Sequence, residues 1–396
     1  MFTNRIDRAP AIPNLHRVRS MAATLCSVAV LAATAVVSTA HADEIGQNAT
    51  IATEFGSVVS SHGFAAGWGG IESARFIEYV TEGPAGTPTT ATGVLATPAG
   101  NPPAGGWPVV AWDHGTRGLG PTCGISTDPK ADAPIVRGLL DEGYAVVAPD
   151  YLGLGPGAAT VHPYLHSRTE ATATVDLVRA ARRVEPALAR RWAVAGVSQG
   201  GHATLNTGNI ADRYAPELDF RGTAALAPAS NVEKIFTLAG PYAPTVPGFD
   251  GLTATFAAVL HGVRLVAPDA VASILTPTGS DVLARIDRRC QPEWQAAADG
   301  VSIGSMLNRP VAGSPVADAL TRYMQVPTSG YHQPLFVAHG TADRDIPLPI
   351  THALLAQFDD AGTKYEFRTY DADHGGIVAA AWPDVLAFVA RVLAPA

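Results

Sequence analysis

The sequence has 396 residues, 47% of them hydrophobic, which is ample for a sizeable core in one large domain or two small ones. A net charge of −8 with no basic run argues against a nucleic-acid partner, because phosphates need clustered lysine and arginine to neutralise them. At the N-terminus, Arg5, Arg8, Arg17 and Arg19 precede an uncharged apolar stretch, residues 21–37, and then Ala40-His41-Ala42, an A-x-A cleavage pattern. Residues 1–42 therefore read as a signal peptide that directs export. A membrane anchor is the weaker reading, since the apolar stretch is short and rich in alanine. Cys26 lies within that segment, and Leu25 before it does not suit a lipoprotein site. Cys123 and Cys290 remain, and a lone pair in an exported chain suggests one disulfide closing a long loop; two separate buried thiols are the other reading.

Residues 43–70 show little periodicity and read as surface chain. Residues 74–81 and 90–96 alternate apolar and polar side chains across a Pro/Gly-rich turn, an antiparallel entry to a sheet. From there strands and helices alternate: strand 108–112, helix 135–142, strand 144–148, helix 168–184, strand 193–197, a further helix, and strand 223–226. That rhythm predicts a parallel sheet with crossover helices. It breaks down over residues 230–329, where short helical pieces sit among Pro and Gly. A hundred such residues are too many for a loop, so they read as an inserted cap between core segments 43–229 and 330–396. The rhythm resumes with strand 334–338, a helix near 350–358, strand 365–370 and a closing helix, 378–392.

The strand at 193–197 runs into Gly196-Val197-Ser198-Gln199-Gly200, a G-x-S-x-G pattern between strand and helix. A nucleophile elbow is built this way: the serine sits on a strained turn, and flanking glycines let strand and helix approach closely. The other reading is a Gly-rich turn with an ordinary serine. Serine attacks a carbonyl only if a base removes its proton and a third group orients that base. In α/β-hydrolases the order is Ser, then Asp or Glu, then His. Asp343 follows the strand at 334–338, with Asp345 as its rival; Asp345 is the better candidate for capping the next helix. His374 sits on a Gly-rich loop after the last strand, whereas His202, on the helix after the serine, reads as structural. The oxyanion of an acyl-transfer intermediate needs two donors: the N–H of Gln199, and a second from the loop after the third strand, Thr116 ahead of His114. Tyr151, next to Asp150, either stands near the pocket mouth or belongs to a turn that Asp150 holds in place. His162 and His166 have H-x-x-x-H spacing, but Pro163 between them speaks against a metal site, and no cofactor-binding loop is evident.

Taken together, Trp112-Asp113-His114-Gly115-Thr116, Ala148-Pro149-Asp150-Tyr151-Leu152-Gly153-Leu154-Gly155, Gly196-Val197-Ser198-Gln199-Gly200-Gly201, His339-Gly340-Thr341-Ala342-Asp343 with Ile346-Pro347, and Asp373-His374-Gly375 resemble the secretory lipase family, the lipase A type of α/β-hydrolase. The resemblance implies an α/β-hydrolase fold: a mostly parallel sheet flanked by helices, with a mainly helical cap over the acyl pocket. It implies hydrolysis of carboxylic esters or triacylglycerols without a cofactor, and a triad at Ser198, Asp343 and His374. The family's cysteine pair would fall on Cys123 and Cys290. The expected partner is a small-molecule or lipid ester, with transient contact at a lipid interface. A peptidase using the same triad and a non-catalytic binding protein on this fold are the alternatives. Apolar cap pieces such as 255–260 and 263–266 are expected to line the acyl pocket.

Overall fold

The computed structural model describes residues 54–244 and 251–395; the expected signal peptide lies outside them. Nine strands are described: β1 (Val58–Gly63), β2 (Arg75–Glu82), β3 (Pro88–Ala96), β4 (Trp107–Asp113), β5 (Ala145–Pro149), β6 (Leu188–Val197), β7 (Asp219–Leu226), β8 (Leu335–Gly340) and β9 (Glu366–Tyr370). They form one sheet in the order β1-β2-β3-β5-β4-β6-β7-β8-β9. The pairs from β1 to β5 along one side are antiparallel. Every pair from β5 across to β9 is parallel.

Strands β4, β5 and β8 are buried along their whole length, which is why they read as continuous apolar runs rather than alternations. Successive side chains feed opposite faces. Val109, Val147 and Val194 meet Val175, Leu177 and Ala211 from α2 (Ser167–Val184) and α3 (Gln199–Tyr214). Val110, Val146 and Ala195 meet Val136, Leu139, Val385 and Val389 from α1 (Ala133–Asp141) and α12 (Ile377–Val392). The result is a three-layer α/β/α sandwich, the α/β-hydrolase fold. Helix α11 (Leu348–Ala361) packs Leu354 and Phe358 against Ala225 of β7 and Leu335 and Val337 of β8.

Between β7 and β8, the described residues form seven helices: α4 (Val232–Thr237), α5 (Leu252–Val263), α6 (Pro268–Ile274), α7 (Pro277–Ile286), α8 (Glu293–Ala296), α9 (Ile303–Met306) and α10 (Pro315–Met324). Their apolar faces share a core with Leu119, Tyr164 and Leu165 of the hydrolase layers.

The first described segment differs from its sequence reading. Within 43–70 lies β1, and Trp68 is 1% exposed with its Nε1 donating to the Ile125 carbonyl at 2.9 Å. β1 is an edge strand whose burial does not alternate and whose register slips between Val58 and Ser60. No period-two signal can mark such a strand.

Candidate active site

The β6–α3 turn carries Ser198 at φ 60°, ψ −117°, a backbone region that side chains rarely occupy. Its N–H donates to the Leu226 carbonyl at 2.9 Å, which ties the turn to the end of β7. The glycines around it are required by contact. A Cβ on Gly200 would lie 1.9 Å from the Asp113 carbonyl oxygen, and one on Gly196 would lie 2.6 Å from it. Strand register brings the next element to the same level: Asp113, the last residue of β4, pairs with Gly196, so the loop from His114 to Arg117 emerges beside the serine.

Register also joins Asp343 to His374. Gly340 at the end of β8 pairs with Tyr370 at the end of β9, and the loops that follow are bonded to each other, Thr341 N–H to Tyr370 O and Ala342 N–H to Ala372 O. Asp343 Oδ2 accepts from His374 Nδ1 at 2.7 Å, while Oδ1 accepts the N–H groups of Asp345 and Ile346, both at 2.9 Å. Burial alone would lower the His374 pKa, but the hydrogen bond and charge of Asp343, with Asp345 and Asp373 nearby, raise it above the ordinary value. Asp345 is exposed and caps nothing; the N-cap of α11 is Pro347, which has no side-chain cap. Among the described residues, the side-chain hydrogen bond of His374 is the one to Asp343, and none joins its Nε2 to Ser198 Oγ.

Gln199 begins α3, so its backbone N–H lies at the helix start, ahead of the intrahelical ladder. Its side chain is buried and turned inward, with Nε2 2.7 Å from both Glu170 Oε1 and His162 Nε2. Thr116 is half-buried, and its hydroxyl lies 2.9 Å from that of Tyr164. The His114 ring is fully buried, and burial together with Arg117 pushes its pKa down to about 3. It is therefore neutral. Nδ1–H donates to the Gly115 carbonyl at 2.7 Å, and Nε2 is buried without a hydrogen-bond partner.

Tyr151 does not reach a pocket mouth. It is 1% exposed, lies between the rings of His114 and His162, and donates its hydroxyl to the His114 carbonyl at 3.3 Å. The Asp150 side chain does not bond to the turn that follows it: it accepts from Ser126 N–H at 2.7 Å, Ser126 Oγ at 2.6 Å and the Thr92 hydroxyl, which ties the end of β5 to β3 and to the loop after β4. His162 and His166 are turned to different partners, the Leu152 carbonyl and Thr169.

Cys123 and Cys290 form a disulfide. Around it the loop after β4 is stitched to the segment before α8, Leu119 N–H to Arg289 O and Gln291 N–H to Arg117 O, each at 2.9 Å. The cap is thereby fastened next to Thr116.

Against this geometry, the sequence profile described as "Secretory lipase" matches residues 123–391. The chain belongs to the secretory lipase family. A lipase A of Moesziomyces aphidis is 28% identical over 265 residues, covering 61% of this chain and 53% of that protein. The chain thus spans about half the length of that curated relative. Among solved structures, the rice cell wall degrading esterase LipA of Xanthomonas oryzae matches with a TM-score of 0.67 at 23% identity, over 86% of this chain and 97% of the other. Candida antarctica lipase A in its closed state matches with a TM-score of 0.68 at 22% identity, over 87% and 84%. At these identities the structures establish a shared fold.

This family member also holds a buried polar cluster that sequence reasoning missed. Glu170, 1% exposed in the first turn of α2, accepts from Leu165 N–H at 3.1 Å, Gln199 Nε2 at 2.7 Å and His202 Nδ1 at 2.7 Å. His202 Nε2 in turn lies 2.9 Å from the Met324 carbonyl at the end of α10. One carboxylate therefore links α2, the helix behind Ser198 and the cap. The signal was a lone acid entering the Ala/Thr run 171–174, a face too small-sided to be solvated. Of the cap pieces expected to line an acyl pocket, 255–260 is packed away: Phe256 and Leu260 are 0% exposed, and Phe256 meets Phe236 edge-on, whereas Leu265 and Val266 of 263–266 are exposed.

Proposed function

We propose that the chain is a carboxylic-ester hydrolase, exported after loss of residues 1–42, that works through an acyl-enzyme on Ser198. His374 Nε2 takes the Ser198 proton as Oγ attacks the ester carbonyl. The tetrahedral oxyanion is held by the N–H groups of Gln199 and Thr116. The intermediate collapses as His374 returns the proton to the departing alkoxide. A water then attacks the acyl-serine, giving its proton to His374, and the acid leaves with Ser198 restored. Asp343 fixes the imidazole with Nδ1 protonated and stabilises the imidazolium.

The observation that carries this reading is the 2.7 Å bond from His374 Nδ1 to Asp343, on loops that leave the sheet at the same edge as the strained Ser198 turn. Membership of the secretory lipase family supports both the ester chemistry and the export. Among the described residues no helix is long and apolar enough to cross a membrane. The test is labelling with a fluorophosphonate, peptide mapping of the adduct, and turnover of p-nitrophenyl esters and emulsified triglycerides. Ser198→Ala should keep the fold, lose the label and lose about four decades or more of kcat. Turnover within about tenfold of the unmodified protein would remove Ser198 from the mechanism.

A further inference from the structure

A groove of about 600 Å³ opens between α1 and α12. Its walls include Gly115 and Thr116 of the loop after β4, Val197 directly before Ser198, and Gly375 directly after His374. It therefore touches the neighbours of both side chains assigned to the reaction, and its volume lies in the range of pockets that enclose small organic ligands. Its apolar wall is made by half-buried Ile135, Val378 and Trp382, with Trp382 edge-on to Trp112 beneath.

The polar side chains along the groove are already engaged by the protein. Arg117 spends Nε on the Cys123 carbonyl at 2.9 Å, Nη1 on Asp132 at 2.7 Å and Nη2 on the Asp128 carbonyl. The second Asp132 oxygen accepts Trp112 Nε1 at 2.8 Å, and the Thr116 hydroxyl is paired with Tyr164. A carboxylate, phosphate or amine entering here would be stripped of water with no free partner, at a cost of several kcal/mol. The groove suits an uncharged, apolar group.

Chemistry decides which half of the ester that is. The leaving oxygen takes its proton from His374, so the alcohol portion starts beside that imidazole, where Gly375 and the first turns of α12 run. We propose that this groove binds the alcohol moiety of the ester, as an uncharged alkyl or aryl group, with Ile135, Val378 and Trp382 setting its size. The proposal rests on the ester-hydrolase reading above.

Two substrate series separate the halves: butyrate esters of ethanol, butanol, benzyl alcohol and cyclohexanol, and p-nitrophenyl esters of acids from acetate to laurate. Ile135→Trp and Val378→Trp fill the groove; Trp382→Ala widens it, and melting curves identify any variant that fails to fold. Filling should lower kcat/KM for the cyclohexyl and benzyl esters relative to the ethyl ester by roughly tenfold or more, leaving the acyl profile in place. Widening should shift the ratio the other way. Folded variants that shift the acyl profile instead, or neither profile, would overturn the proposal. A failure of the ester-hydrolase reading shows separately, as unmodified protein that neither takes the fluorophosphonate on Ser198 nor turns over any ester.

Discussion

Asp343 divides its carboxylate between its own turn and His374: Oδ1 accepts two backbone N–H groups, and Oδ2 accepts the imidazole Nδ1 at 2.7 Å. The turn aims the oxygen, and the oxygen aims the ring. His339 Nε2 also lies 3.4 Å from Oδ2, although it donates to the Ile346 carbonyl at 2.8 Å. Asp343→Asn should therefore leave the loop folded, upset the imidazole tautomer, and lower kcat by about four decades. Asp345→Asn, on an exposed side chain that caps no helix, should change kcat by less than about tenfold. Steady-state kinetics on one soluble ester separates the two, and the reverse pattern would exchange the roles of these carboxylates.

The pH profile follows from the raised His374 pKa. A protonated imidazole cannot accept the serine proton, so kcat/KM should climb with pH through an acid limb lying above the ordinary histidine value of about 6.5. Removing the Asp343 charge should move that limb down, measured on residual Asp343→Asn activity with a neutral ester. A limb that stays in place would show that another group governs it.

Glu170 and His202 form an ion pair with essentially no exposed surface. Burial alone would lower the His202 pKa, but the charge and hydrogen bond of Glu170, with the Met324 carbonyl, raise it. A raised folded pKa means that the pair stabilises fully below the unfolded histidine value of about 6.5 and is lost as pH rises through the folded pKa. Glu170→Gln leaves that imidazolium uncompensated and should cost about 3–5 kcal/mol near pH 6. The deficit should narrow above the raised pKa. Denaturant melts across pH measure both, and a deficit constant with pH would mean that His202 is neutral.

Phe256→Ala tests what the cap interior does. The side chain is fully buried among cap residues, so truncation should cost about 3–5 kcal/mol while the preference among acyl lengths of the folded protein stays put. A changed acyl profile with little loss of stability would restore the acyl-pocket reading of residues 255–260.

How much of this was legible beforehand depended on the range of the signal. The alternation of buried strands and amphipathic helices, the order of Ser198, Asp343 and His374, and the glycines of the elbow are written locally. Periodicity follows from helix and strand geometry, and a strained φ or a 1.9 Å clash at Gly200 admits one residue type. Where a side chain points once the chain has closed is not local. Tyr151 was legible as a residue after a strand, but only packing decided that its ring would lie between two histidines. Asp345 had the spacing of a cap, yet backbone pairing of the β8 and β9 loops handed the turn to Asp343. Glu170, 28 positions before Ser198 in sequence, meets the elbow helix only because two crossover helices pack side by side on one face of the sheet. The groove likewise needs α1 and α12, far apart in sequence, to lie on the opposite face. Sequence alone determined the fold class and the order of the chemical groups, because bonded neighbours and periodicity carry them; the environment of each group waited for the tertiary structure, because burial and partners come from segments that meet only on folding.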